Sequence, residues 1–318
     1  MKAWLARIGG LLLVAGSFTA AAEEAGPLGA GTVDVRRSAG VGISPSDSAP
    51  VRRAPERVLS TALLADELLL ETLPLERWVG VSYVVDWPSA TPSAGRFPES
   101  LVRTLGTTED ILSRRPDLVV FSPYNDALTV AQLQRSGVAL HLVPAASTFE
   151  ELLAAWAALG DRVGQREASE SAIERARARL ELIRERGRRA MHLPEAERRT
   201  LLLQGMFSYG PGSLQHDCLV QAGLVNVLPR QDSAENPALN VEYVLRLAPE
   251  IIFVAANVRA PREAAQSELP RGVPWRAVPA VQRRRVVAVP GSWMASISHH
   301  ALLACEAYAT ATSSWVGP

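Results

Sequence analysis

The adjacent imidazoles of His299 and His300, in the stretch SISHH, are the side chains of this chain best suited to binding a metal. An imidazole can ligate a bare ion or cap the metal of a bound chelate. Successive side chains on a helix point about 100° apart, so both rings cannot reach one ion. A bare-ion site would need further donors from other loops. His141 falls in a predicted strand, His216 in a predicted helix and His192 at the end of another, while Asp66, Asp86 and Asp126 follow no ligand spacing. No metal site is assigned, and His299 stands as the candidate to cap a chelated metal in a cleft.

Six aromatic residues follow short apolar runs that read as strands: Tyr83 and Trp87 in SYVVDWP, Tyr124 in FSPYND, Phe207 and Tyr209 in GMFSYGPG, and Trp293 in PGSWM. In open α/β sheets ligands sit beyond the carboxyl ends of the strands. Rings gathered there suit a large, flat, partly apolar ligand such as a corrin, a porphyrin or a chelate. Covalent chemistry has less support. The serine of SYGPGS lacks a Gly-x-Ser-x-Gly elbow, and no acid–base pair is arranged around it. Neither a phosphate loop nor a dinucleotide fingerprint occurs, so an enzyme is not expected. With 33 basic and 33 acidic residues the formal charge is zero, which gives no electrostatic case for nucleic acid or an anionic membrane.

Two glutamates recur in matched phrases, TTEDILSRRPDLVVF at 107–121 and NVEYVLRLAPEIIFV at 240–254. Glu109 and Glu242 each stand two residues after a good N-cap, Thr107 or Asn240, and so in the first turn of a helix. There the helix dipole favours a carboxylate by about 0.3–1 kcal/mol. Capping explains one such residue adequately and the repeated pair less well.

The elements that must position these residues alternate between short apolar runs and helical stretches, an α/β pattern. In the first half, strands are predicted over 57–61, 78–82, 117–121 and 138–144, with helices between them. The second half repeats that order from 200 to 291, which predicts a duplicated four-strand unit. Between the halves, 148–195 is rich in helix formers with both charge signs, a stiff strut rather than a flexible tether. Lobes are expected over 55–147 and 196–318.

Lys2, Arg7, the apolar core IGGLLLVAGSFTA and Ala20–Ala22 predict a cleavable signal peptide over 1–22. That core is too short to span a bilayer, and no cysteine follows it to carry a lipid. Residues 23–54 read as a flexible linker. The expected product is exported, and in a bacterium periplasmic. There Cys218 and Cys305 can pair, the alternative being two buried thiols.

RVLST, VGVSYVVDWP, TTEDILSRRPDLVVFS, LQRSGVALHLV, GSLQHDCLVQAGLVN, NVEYVLRLAPEIIFV and VVAVPGSWMASISHHALLACEAYA together resemble the periplasmic substrate-binding proteins of ABC importers. The likeness is to the helical-backbone group (class III), which includes cobalamin, heme and iron-siderophore binders. It implies two similar lobes with mainly parallel sheets joined by one long helix, acting as a monomer with no intrinsic cofactor. It implies a small-molecule ligand, cobalamin or a related corrinoid favoured and heme or a ferric siderophore the alternative, held between the lobes. It further implies docking of Glu109 and Glu242 on an ABC permease dimer with its ATPase, from the outer face of each lobe and away from the ligand. An exported sensor module shares every one of these motifs.

Overall fold

Val58, Leu59 and Ser60 are all buried, as a central strand of a parallel sheet covered on both faces requires. They form β1 (Val58–Ser60) of a computed structural model that describes residues 53–229, 239–256, 265, 268, 269 and 274–315. The predicted signal peptide and nearly all of the linker lie outside the described residues.

The first lobe continues with α1 (Leu63–Leu70), β2 (Trp78–Ser82), β3 (Arg103–Thr104), α2 (Thr108–Ser113), β4 (Leu118–Phe121), α3 (Ala127–Arg135) and β5 (Ala139–Leu142). Its strands lie in the order β3-β2-β1-β4-β5, and every pairing is parallel. Helices α4 (Phe149–Arg162) and α5 (Arg166–Ala190) then lead to the second lobe. That lobe holds β6 (Arg199–Leu203), α6 (Leu214–Gln221), β7 (Val225–Asn226), α7 (Val241–Leu247), β8 (Ile251–Ala256), α8 (Pro279–Gln282), β9 (Val286–Pro290), α9 (Gly291–Met294) and α10 (Ala301–Ser313). Its sheet runs β7-β6-β8-β9, again all parallel.

The duplication is visible in the topology. Strands β2, β1, β4 and β5 of the first sheet occupy the places of β7, β6, β8 and β9 in the second, and β3 is an added edge. The two matched phrases fold alike. The side chain of Thr107 accepts from the backbone N of Asp110, and that of Asn240 from Tyr243. Each phrase then turns through a left-handed residue directly before its proline, Arg115 at φ 48° and Ala248 at φ 42°. The two-residue strands β3 and β7 were not expected from the sequence.

Alternate strand residues feed different cores. Leu59 and Val119 pack with Ile111 and Leu133 on one face of the first sheet, and Leu201, Leu203, Ile252 and Val254 pack on the corresponding face of the second. Their neighbours Val58, Leu118, Val120, Leu202 and Phe253 join one continuous core that runs through both lobes. Helices α4, α5 and α10 supply its middle with Phe149, Trp156, Ile173, Leu180 and Tyr308. The strut α5, 25 residues long, is pinned to α10 where Arg179 and Arg186 both bond Glu306, at 2.6 and 3.0 Å. It also passes through Gly187 without breaking, because there it meets the turn after α6. A Cβ on Gly187 would stand 2.7 Å from the Ala222 carbonyl carbon. Cys218 on α6 and Cys305 on α10 form a disulfide, with 5.0 Å between their Cα atoms.

Candidate ligand-binding site

All strands within each sheet are parallel, so each lobe gathers its strand carboxyl ends at one edge, and most of the aromatics singled out above stand there. In the first lobe β2 ends at Ser82 and runs straight into a 3₁₀ turn, Tyr83–Asp86. Tyr83 and Trp87 pack edge to face across that turn, with ring centroids 5.4 Å apart at 75°. Both stay half-buried. Tyr124 follows β4 and is 49% exposed. Its loop is held by Asn125, whose side chain accepts from the Ser122 N at 2.8 Å and donates to the Thr61 carbonyl at 3.1 Å. In the second lobe Phe207, 41% exposed, stands on a tight turn after β6 closed by two backbone bonds between Gln204 and Phe207. Gly205, at φ 59°, supplies the corner of that turn. Trp293 lies on α9 just after β9, half-buried against the shared core.

Two expected ligand contacts are corrected by burial. Tyr209 is only 5% exposed and its hydroxyl donates to the side chain of Gln204. The chain alternates after Phe207, turning that ring into the core near Tyr308, and burial pushes its phenol well up. His299 is not in a cleft loop either. Its ring stacks on Trp156 of α4, centroids 4.9 Å apart at 28°, and burial pushes its imidazole down to about 3. It belongs to a seam between the lobes.

That seam is built from groups with no sequence pattern. The Ser93 hydroxyl and His300 Nε2 share a hydrogen bond at 2.7 Å across the lobes. The Thr91 hydroxyl donates to Glu67, which Ser298 also bonds from the other lobe. Asp66 accepts from the Ser82 hydroxyl and backbone N. Backbone N of Phe149 donates to Asp217 on α6 at 2.7 Å. Burial raises Asp66 and Glu67 to about 7 against the opposing effect of these donors. The charged groups Glu71, Arg96, Arg175 and Arg179 face the His299–His300 pair.

These titrations oppose one another. Folded Asp66 and Glu67 keep protons that an unfolded chain gives up near pH 4, so their part of the stability falls as pH rises from about 4 to 7. His141, His299 and His300 are pushed down to about 4, 3 and 4, and refuse protons the unfolded chain takes up below about 6.5. Their part rises with pH over about 4 to 6.5. Glu67→Gln removes one opposing acid. Its unfolding free energy, measured in urea from pH 4.5 to 6.5, should rise more steeply than that of the wild type by one proton, about 1.4 kcal/mol per pH unit.

Glu109 and Glu242 are both exposed, and neither forms an ion pair among the described residues. Each helix runs from the carboxyl edge of its sheet back toward the amino edge, so its first turn lies at the edge that carries the aromatic loops. The two acids thus stand at the same edges as those loops, one on each lobe.

Arg259 and Arg262, which the sequence places in a loop after β8, lie outside the described residues. Among the described residues no cluster of three or more His, Cys, Asp and Glu could hold a metal, and no helix is long and apolar enough to cross a membrane.

The sequence model of the periplasmic binding protein family matches residues 59–292. Among solved structures, the periplasmic heme-binding protein RhuT from Roseiflexus sp. RS-1 is 19% identical, with a TM-score of 0.65 over 82% of this chain and 99% of that one. The periplasmic vitamin B12 binding protein BtuF of Vibrio cholerae is 24% identical, with a TM-score of 0.63 over 81% and 97%. An ABC-type Fe3+-hydroxamate transport system protein from Saccharomonospora viridis is 17% identical, with a TM-score of 0.59 over 81% and 93%. No curated protein matches the chain.

Proposed function

The chain belongs to the periplasmic binding protein family, and from that premise we propose that it captures a metal chelate, a cobalamin or related corrinoid, and delivers it to an ABC permease with its ATPase. The observation that carries the ligand class is the set of five aromatics, Tyr83, Trp87, Tyr124, Phe207 and Trp293, standing with accessible surface at the strand ends of both lobes. Such rings offer apolar faces to a large flat ligand at little cost in side-chain entropy. The exported monomer works in the periplasm, where its leader would direct it.

The donor groups favour a corrinoid over heme. With His299 stacked inside the seam, the phenols left at this edge to reach an iron are those of Tyr83, Tyr124 and, in the first turn of α7, Tyr243. A cobalamin carries its own axial groups and needs none from the protein. Heme or a ferric siderophore is the alternative reading, and it gains support if Tyr83 or Tyr124 proves to be a ligand. A sensor module in place of an importer component would bind the same ligand.

In this reading the shared core and the seam hold the lobes at a nearly fixed angle, so the cleft is formed before the ligand arrives. Glu109 and Glu242, at the same edges as its loops, would meet basic residues on a two-fold permease dimer, where charge pairs set register and on-rate. Replacing both by Ala should leave ligand affinity unchanged while uptake in cells carrying the cognate permease falls to background. Full uptake by the double variant would remove the docking role, and lost ligand affinity would show that the pair serves the cargo.

A further inference from the structure

Arg103, at the start of β3, uses its whole guanidinium on one loop. Its Nε and Nη2 donate to the two oxygens of Asp86 at 2.8 and 2.7 Å. Its Nη1 donates to the carbonyls of Pro98 and Leu101, both at 2.5 Å, and Nη2 reaches that of Phe97 at 3.3 Å. One planar group thereby joins the beginning and the end of the long connection between β2 and β3. The strand pairing fixes its base, since Arg103 lies opposite Val81 on β2. Asp86 is the last residue of the turn that starts at Tyr83, and Trp87 follows it directly. Elsewhere the connection is held by Thr91 on Glu67, Ser93 on His300, and the Phe97 ring edge-on to Trp78. Thr91 in turn donates its backbone N to the Trp87 carbonyl at 3.0 Å, and Val85 seats the middle of the turn in the core, while Asp86, between Val85 and Trp87, is held by Arg103.

We propose that Arg103 is a positioning residue for ligand recognition: through Asp86 and the carbonyls of Phe97, Pro98 and Leu101 it fixes the Tyr83–Trp87 pair as one wall of the cleft. The proposal rests on the reading of these loops as the ligand site, and Arg103 acts on the ligand only through that wall. The Arg103 bond holds the Asp86 carboxyl below the usual carboxylate range, so the fork stays charged on both sides at any working pH. Lysine cannot replace it, because a single ammonium does not span two carboxylate oxygens and three carbonyls in one plane. Preorganised side chains bind more tightly because their ordering is complete before the ligand arrives.

The test is a titration with cyanocobalamin, followed by quenching of tryptophan fluorescence, on the wild type, Arg103→Met, Arg103→Lys, Trp87→Ala and the Trp87→Ala/Arg103→Met double variant, with Tm measured on each. Both Arg103 variants are expected to bind about tenfold more weakly while remaining folded. The double variant should bind no more weakly than Trp87→Ala alone, within about twofold, because Trp87, the ring that directly follows the Asp86 held by Arg103, is already gone. If Arg103→Met fails to fold, Asp86→Asn removes the bidentate acceptor alone and is expected to weaken binding in the same way. Additive losses in the double variant, or wild-type affinity in a folded Arg103→Met, would overturn the proposal. A wild type that binds neither cyanocobalamin nor hemin nor a ferric siderophore overturns the reading beneath it, and the wild-type arm reports that result by itself.

Discussion

Alanine at both Trp87 and Trp293 should weaken ligand binding by roughly a thousandfold, at about 2 kcal/mol for each aromatic anchor removed. The two rings stand on opposite lobes, one after β2 and one after β9, so each meets a different part of any ligand held between them. Their losses should add, because residues without shared partners couple weakly. Neither ring carries the fold. Trp87 packs edge-on against Tyr83 and stays half-buried, and Trp293 is half-buried against the shared core. The variants should therefore unfold at nearly the wild-type Tm while calorimetric titration shows the loss. A matching loss for Tyr209→Phe would contradict this placement, since that hydroxyl bonds Gln204 inside the lobe. Wild-type affinity in the Trp87/Trp293 double variant would move the ligand site elsewhere.

Replacing Cys218 and Cys305 by Ser together should lower the unfolding free energy by about 4.5 kcal/mol, from the chain entropy that a cross-link over so long a loop withholds from the unfolded state. The sequence separation is 87 residues, and the loop it closes contains most of the second sheet. The bond joins α6 to α10, and α10 in turn carries Glu306, to which Arg179 and Arg186 of the strut are fastened. Loss of the bond should thus loosen the second lobe first. Hydrogen exchange in α6 and α10 ought to rise before exchange in β1 and β4 does. A loss below about 1 kcal/mol would mean that packing alone holds α10 in place, against the usual cost of removing a native disulfide.

The parts of this fold legible in the sequence are those decided by local chemistry. Thr107 and Asn240 cap their helices as their side chains allow, and Pro116 and Pro249 stop them, so the repeated phrase marks a repeated unit. The long polar strut is readable because 25 residues of helix formers have few other options. Strands β3 and β7 are invisible by the same logic. Two residues carry no period, and their pairing is supplied by β2 and β6.

The site was legible as a set of loops and less so residue by residue. Phe207 and Tyr209 share one loop, yet one ring faces outward and the other enters the core, and only tertiary packing decides which. The imidazole of His299 makes it a candidate to cap a chelated metal, but α4 places Trp156 directly against it. Asp66 and Glu67 are a third case. Asp66 follows no ligand spacing in the sequence and Glu67 carries no signal there, yet α1 is enclosed and both carboxyls are buried against hydroxyls from neighbouring loops. Glu109 and Glu242 are exposed, and strand direction decides that their helices start at the edge of the sheet that bears the aromatic loops.

If an aromatic cleft between two fixed lobes holds a corrinoid, isothermal titration of the protein with cyanocobalamin, hemin and a ferric hydroxamate under the same conditions should separate the three. One molecule of cyanocobalamin should bind per chain, with hemin and the hydroxamate bound more weakly. Tight binding of hemin together with a Tyr83 or Tyr124 charge-transfer band, or binding of none of the three, would contradict it.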